Sequence, residues 1–293
     1  MDTYINKILK RTKLLSLKLK GQLPYVSWKK LITQCKKRNL KLHSLIKKVD
    51  HDPQHGLSLY SVPGYKQLIW CPDAEPELLE LDADLTFCDY YHGLCINNLI
   101  KEDDVVFDCG GYVGIFALWA LKKKASKVII FEPLEKNYEC ISRNLHDYIS
   151  AGKVILIKAG VWSTKGCLSF CEDEAGCGST FLINSVDPTV KDVTVKKWII
   201  KIHSSIQVVT IDGIAEELKI PSVDLIKMDV EGAEPEAVLG AKNTLKKYLP
   251  NLALCTYHQS NHGEILYRSV NEINPQYGQR EVIRGSLITC WGK

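Results

Sequence analysis

No stretch of this 293-residue chain approaches the ~20 consecutive apolar residues that a membrane-spanning helix needs. The N-terminus has no apolar run ending at a small-residue cleavage site, so no secretory leader is expected. No internal repeat or low-complexity segment is evident. With 45% hydrophobic and 25% charged residues, the composition excludes a collagen-like, coiled-coil or wholly disordered chain. The expectation is a soluble, cytoplasmic protein with ample material for a large core.

Cysteine pairs of the Cys-x-x-Cys type are missing too, although the chain has eleven cysteines. An odd number spread from Cys35 to Cys290 is no disulfide framework of a short secreted domain. The one cluster, Cys167, Cys171 and Cys177, fits neither zinc pairs nor an iron–sulfur loop. Reduced, mostly buried thiols and no metal site are expected.

Acidic residues are scarce at the start of the chain. Residues 1–49 hold fourteen Lys/Arg against the single acid Asp2, a formal +13, so the other 244 residues carry −9 within the net +4. Ile5, Ile8, Leu14, Leu15, Leu17 and Leu19 interleave with the cations, and Trp28, Leu31, Ile32 and Cys35 recur at helical spacing. This predicts a basic helical extension over 1–55. It could be a solvated appendage, or it could meet an anionic membrane surface or a polyanion such as nucleic acid. No zinc-finger spacing or RNA-binding sheet signature supports nucleic acid in particular.

Residues 56–103 read as a lead-in packed on the domain that follows. Leu57–Tyr60 and Gln67–Trp70 suggest short strands joined through Pro63-Gly64, with a helix over 76–100. From 104 to 293 strands and helices alternate. Expected strands are Val105–Phe107, Lys127–Phe131, Val154–Ile157, Asp224–Val230 and Leu252–Tyr257. Helices are expected from Ile115 to about Lys123 and over Leu134–Asn144. Residues 281–291 read as a closing antiparallel hairpin around Arg284-Gly285-Ser286, and Val193–Ile202 with Gln207–Thr210 as extra β structure over the site. The pattern is α/β: a Rossmann-like, mostly parallel, doubly wound sheet. Such sheets bind ligands beyond the carboxyl ends of their strands.

The first strand ends in Asp108-Cys109-Gly110-Gly111-Tyr112-Val113-Gly114. Glycines there let backbone approach a ligand. Glu132, 24 positions after Asp108, ends the second strand, where a carboxylate can take ribose hydroxyls. A dinucleotide fingerprint would need a glycine where Tyr112 stands. The Asp-x-Gly-x-x-x-Gly pattern instead suits S-adenosyl-L-methionine, which needs no phosphate site. The fourth strand adds Lys227, Asp229 and Glu231, which alternation would place on one side. Either Lys227 pairs with Asp229 as a buried ion pair, or Asp229 and Glu231 do chemistry beside the methyl group.

These residues resemble the FkbM family of S-adenosylmethionine-dependent methyltransferases. The likeness rests on Asp108–Gly114, Phe131-Glu132-Pro133, Asn144, Thr210-Ile211-Asp212, the run Asp224–Glu234, Val238–Ala241, and Pro250 leading to Tyr257-His258. It implies a Rossmann-like methyltransferase core that methylates hydroxyl oxygens of sugars, glycolipids or other natural products. It further implies that Asp108, Gly110, Gly111, Tyr112 and Gly114 line the cofactor's amino acid end and Glu132 its ribose. Asp229 would lie near the cofactor, and Asp229, Glu231 and His258 would face a small-molecule or glycan acceptor. Where the family usually has Ala-Asn, this chain has Gly111-Tyr112, a ring that could crowd or stack on the cofactor.

The mechanism this implies is direct methyl transfer to a hydroxyl, with His258 or Asp229 as base. A variant would place Mg²⁺ on Asp212, Asp229 and Glu231. The competing readings are a nucleic-acid methyltransferase using the basic segment and a non-catalytic adaptor on the same fold.

Overall fold

The computed structural model describes residues 46–62, 65–73, 99–173, 180–181, 192–195, 198–256, 261–277, 280–283 and 287–290. The basic segment through residue 45, most of the expected helix over 76–100, and Tyr257-His258 lie outside these residues. Contacts divide the chain between Leu45 and Ile46, and all the described residues belong to the second unit.

That unit opens with an antiparallel three-stranded sheet, β1 (Lys47–Asp52), β2 (Leu57–Ser61) and β3 (Ile69–Pro72). Residues 47–52, assigned above to a helical extension, are a strand. Their exposed Lys47-Lys48 pair concealed the register, in which Asp52 lies opposite Leu57 across a tight turn.

The alternating region follows as β4 (Val105–Cys109), α1 (Ile115–Lys122), β5 (Lys127–Phe131), α2 (Glu135–Asn144), α3 (His146–Ser150) and β6 (Val154–Ile157). A second sheet is built from β7 (Gly160–Val161), β8 (Gly166–Asp173), β9 (Thr180–Phe181), β10 (Asp192–Val195) and β11 (Trp198–Val209). The chain then returns through α4 (Ile211–Glu217), β12 (Leu225–Met228), α5 (Glu234–Leu239), α6 (Lys242–Tyr248), β13 (Asn251–Cys255), α7 (His262–Ile273), β14 (Arg280–Ile283) and β15 (Leu287–Cys290).

The main sheet has the order β14-β15-β13-β12-β4-β5-β6. Its five central strands are parallel, and β15 runs antiparallel to both β13 and β14. The expected Rossmann-like α/β fold is present, and the hairpin is inserted so that the last strand sits inside the sheet. Alternation explains the continuous apolar runs. Val106, Val128, Ile130, Leu225 and Ala253 join one core with α1, α2 and the three-stranded sheet. Val105, Phe107, Ile129, Phe131, Ile226, Leu252 and Leu254 join the other with α4, α5, α6 and α7. A strand buried on both faces has no polar side to show.

The three-stranded sheet is fastened to the first core by the end of α2. Asn144 donates from Nδ2 to the carbonyls of Trp70 (2.9 Å) and Val113 (2.8 Å), and its Oδ1 accepts from the Trp70 amide at 2.7 Å. Arg143 pairs with Asp52 (2.8 Å) and Glu139 (2.7 Å), with its guanidinium 4.8 Å from the Trp70 ring centre. Every polar atom of the buried Asn144 amide is thereby used.

Candidate active site at the reversal of strand order

Strand order reverses between β4 and β12: from β4 the chain moves out to β5 and β6, then returns on the other side through β12 and β13. The crevice at their carboxyl ends is the place for a ligand. It requires two strand ends to come together. Asp229 donates its amide to the Cys109 carbonyl at 3.0 Å. A Cβ on Gly110 (φ +81) would lie 2.0 Å from the Asp229 carbonyl oxygen, so only glycine fits. Gly111 packs on Ile130 and Ile141, and Gly114 is the N-cap of α1. Both Gly110 and Gly111 donate to the Phe131 carbonyl at the end of β5 (3.0 and 3.2 Å).

Asp108 and Lys227 are register partners across β4 and β12. Both are buried, and Lys227 Nζ lies 3.0 Å from Asp108 Oδ1 while donating to the Gly110 carbonyl at 2.6 Å. With three protons to give, the ammonium serves the Gly110 carbonyl and the Asp108 carboxylate together. The register of β4 and β12 thus brings Lys227 to Asp108 as a buried pair, and Asp229, just beyond the strand, also acts on its charge. Burial opposes charge on Lys227, but the carboxylates of Asp108 and Asp229 outweigh it and hold the ammonium above the usual lysine range. Burial raises the Asp108 carboxyl; Lys227 pulls it back and Asp229 pushes it further up.

Glu132, directly after β5, is also buried. Its Oε1 accepts from the Leu134 amide (3.0 Å) and Asn137 Nδ2 (3.4 Å), and its Oε2 from the Tyr112 amide at 2.9 Å. Burial lifts this carboxyl to about 7 against those donors and the charge of Lys227. Carboxylate oxygens accept two hydrogen bonds each, so Oε2 keeps a lone pair for a further donor.

Tyr112 follows in the left-handed region at φ +50. Its half-buried ring packs on the core of the three-stranded sheet, and its hydroxyl lies 3.5 Å from Cys71 Sγ on β3. The left-handed backbone is what swings the side chain toward β3 while leaving the amide on Glu132.

Beyond β12 the strand ends at Met228, so Glu231 does not share a strand face with Lys227 and Asp229. It sits at φ +56 in a turn closed by Gly232 at φ +96. Asp229 and Glu231 are half-buried, and the Cys255 thiol at the end of β13 donates to Asp229. Glu234, the first residue of α5, accepts from the Val230 amide at 3.0 Å. Its other oxygen lies 3.5 Å from His262 Nε2, and both side chains are fully buried. His262 opens α7, four positions after His258, the expected base, which lies outside the described residues. Nothing in the local sequence marks His262 or the Arg143–Trp70 contact; only the fold brings them to their partners.

Asp212 is committed elsewhere. Its carboxylate accepts from the amides of Asn243 (2.8 Å) and Thr244 (2.7 Å) and from Thr244 Oγ1 (2.7 Å), capping α6. The Mg²⁺ variant loses that ligand, and among the described residues no group of three His, Cys, Asp or Glu side chains could hold a metal ion. Cys71, Cys109, Cys140 and Cys255 are buried thiols, and Cys167 is an exposed one.

The root of the second sheet adjoins the site. Trp162 and Val208 cluster with Ala233, and Leu168 and Val230 pack against them, so this sheet bears on the turn that follows Asp229. Among the described residues no helix is long and apolar enough to cross a membrane.

The chain is similar to several known proteins. The hexuronic acid methyltransferase AglP of Haloferax volcanii is 27% identical over 50% of this chain and 53% of its own length. This chain therefore spans about half of that relative. The methyltransferase sdnD of Sordaria araneosa is 24% identical over 63% of this chain and 83% of its own. Among solved structures, an FkbM methyltransferase from Methylobacillus flagellatus aligns with 72% of this chain and 48% of its own at 20% identity, with a TM-score of 0.48. The methyltransferase FkbM domain profile matches residues 108–278, more than half of the chain, and takes in the glycine turn, Glu132, Asp229 and Glu234. The chain belongs to the FkbM methyltransferase family.

Proposed function

We propose that the chain is an S-adenosyl-L-methionine-dependent O-methyltransferase acting on a hydroxyl of a sugar, glycolipid or other small molecule. The observation that carries this reading is the convergence of Asp108, Glu132 and Asp229 on one ammonium, Lys227, at the reversal of strand order. Such a set of carboxylate acceptors repels a pyrophosphate and suits a cationic nucleoside. When bound, S-adenosyl-L-methionine supplies an electrophilic methyl group. Glu132 would receive a ribose hydroxyl on the open lone pair of Oε2, and the turn from Gly110 to Gly114 would carry the amino acid end. Asp108 acts from below, by holding Lys227 and through it the Gly110 carbonyl.

Asp229, half-buried just after β12, would take the proton of the attacking hydroxyl, with His258 as the alternative base. A sugar acceptor agrees with the hexuronic acid methyltransferase among the relatives. The basic segment 1–49 would bring a cytoplasmic enzyme to an anionic membrane surface or a polyanionic acceptor. Titration calorimetry with S-adenosyl-L-methionine tests the core of the reading. Saturable one-to-one heat is expected, and transfer of labelled methyl to sugar or lipid-linked acceptors should fall at least about tenfold in Asp229→Asn. No heat of binding would leave an adaptor on a methyltransferase fold.

A further inference from the structure

Glu234 is a carboxylate where a carboxylate is costly. It opens α5 fully buried, and the imidazole of His262, equally buried at the start of α7, lies 3.5 Å away. Two buried ionisable side chains give up hydration, and an apolar pair of similar volume commonly stabilises a fold at least as well. The two helices have apolar contacts of their own: Leu266 and Val270 of α7 join Ala237 and Val238 of α5 in one core. What an apolar residue could not do is accept a hydrogen bond. Glu234 Oε1 takes the Val230 amide at 3.0 Å, reaching back across the turn that precedes the helix.

That turn bears Asp229 and Glu231. At its start the Asp229 amide is tied to the Cys109 carbonyl (3.0 Å), and at its end the Ala233 amide donates to the Val230 carbonyl at 3.1 Å. Between them Glu231 stands at φ +56, a conformation that lasts only where the surroundings impose it. The Val230 side chain lies 3.5 Å from where a Cβ on Gly110 would be, and it packs on the cluster of Trp162, Val208 and Ala233. The Cys255 thiol, which donates to Asp229, also feels the charge of Glu234. Val230 is thus the residue through which Glu234 reaches both acids.

We propose that Glu234 and His262 are positioning residues for methyl transfer: Glu234 holds the acceptor-facing turn through the Val230 amide, and His262 holds Glu234. The inference rests on the reading above, in which Asp229 and Glu231 face the attacking hydroxyl, and extends it to two residues that act through others. The methyl donor would be held elsewhere, by Glu132 and the turn from Gly110 to Gly114. Loosening the pair should therefore slow transfer while leaving the affinity for S-adenosyl-L-methionine in place. A pair that only glued two helices together would behave in the opposite way, losing stability while each folded molecule transferred at full rate.

The experiment uses the full chain and its Glu234→Ala, Glu234→Gln and His262→Gln variants. Three quantities are read: heat of binding of S-adenosyl-L-methionine, single-turnover transfer of labelled methyl to glucuronate, glucose and dodecyl glucoside, and hydrogen exchange over residues 228–234. In Glu234→Ala, transfer per folded molecule should fall at least about tenfold while the dissociation constant of S-adenosyl-L-methionine stays within about twofold. Glu234→Gln keeps an acceptor for the Val230 amide and should recover transfer to within about threefold of the unaltered chain. His262→Gln should fall between the two. The Val230 amide should exchange faster in Glu234→Ala and keep its protection in Glu234→Gln. Should Glu234→Ala misfold, Glu234→Met, which fills the space without accepting the amide, carries the same test. Full transfer in the folded variant, an equal loss of donor affinity, or a Glu234→Gln as slow as Glu234→Ala overturns positioning and leaves the functional reading intact. Heat of binding without transfer by the unaltered chain to any acceptor removes the acceptor reading, and this inference with it; no heat of binding removes the cofactor reading as well.

Discussion

Lys227 does more for this site than its polar character suggests. Its ammonium joins Asp108, one register position across the sheet, to the carbonyl of the glycine turn, so one buried cation fixes both strand ends. Removing it leaves a buried carboxylate without compensation, which costs about 3–5 kcal/mol. Lys227→Met should therefore lower the stability measured by urea denaturation by that amount, and the double change with Asp108→Asn should recover most of it. If the single and double variants are equally unstable, the ion pair is not the cause. Glu132 gives a second residue-level expectation. Its carboxyl titrates at about 7 in the folded chain against an ordinary value of 4.5, so the folded state holds a proton that the unfolded state has released. The resulting stabilisation is fully present below the ordinary value and is lost as pH rises through about 7. Ligand binding runs the other way, because a ribose hydroxyl donates to the ionised form. Affinity for S-adenosyl-L-methionine should rise about tenfold between pH 6 and 8 and lose that rise in Glu132→Gln.

At the scale of elements, the three-stranded sheet and the glycine turn share one latch. Asn144 bonds Trp70 on β3 and Val113 in the turn, and Tyr112 reaches back to Cys71. Asn144→Ala removes three buried hydrogen bonds and should cost about 1–3 kcal/mol. Hydrogen exchange should locate the loss: amides of β2 and β3 speed up while those of β4 and β12 keep their protection. Uniform acceleration across both sheets would contradict a local latch. Asn144 is legible in the sequence only as part of a family pattern, since a side chain that bonds two segments 74 and 31 residues away leaves no periodic mark. Periodicity and strand ends account for the legible part. The five parallel strands, the helices between them and the acid after β5 all stand close to where apolar runs and turn residues put them. The limits of that reasoning are equally physical. Period-two alternation carries Glu231 onto the face of Lys227 only while the strand lasts, and left-handed turns such as those at Glu231 and Tyr112 are set by tertiary packing. The partner of Lys227 depends on the register between β4 and β12, which neither strand encodes alone.

Across the whole molecule, charge is segregated along the chain: +13 over residues 1–49 and −9 over the rest. The contact boundary between Leu45 and Ile46 puts nearly all of that positive charge in the first unit. At about 1 kcal/mol per basic residue near an anionic surface, such a segment would suffice for the peripheral attachment proposed above. In sedimentation with vesicles, the full chain should pellet with anionic lipid and stay in solution with neutral lipid or 0.5 M salt. A chain starting at Ile46 should stay in solution throughout and bind S-adenosyl-L-methionine as the full chain does. Equal pelleting with neutral vesicles would refute electrostatic attachment.

Among the described residues, the second sheet meets the rest of the molecule at a foot around Trp162. Trp162 donates to the Val209 carbonyl at 2.9 Å, and Val208 and Ala233 close over it. A Cβ on Gly240 would come within 2.0 Å of the Trp162 carbonyl oxygen, so the end of α5 admits no side chain there. Anyone grafting a foreign 163–207 segment onto this scaffold, to give it another specificity, must therefore leave Trp162, Val208 and Gly240 in place. With that foot retained, the exchanged cassette should leave the binding of the methyl donor untouched; with it cut, the turn bearing Asp229 loses its support and both properties should fail together.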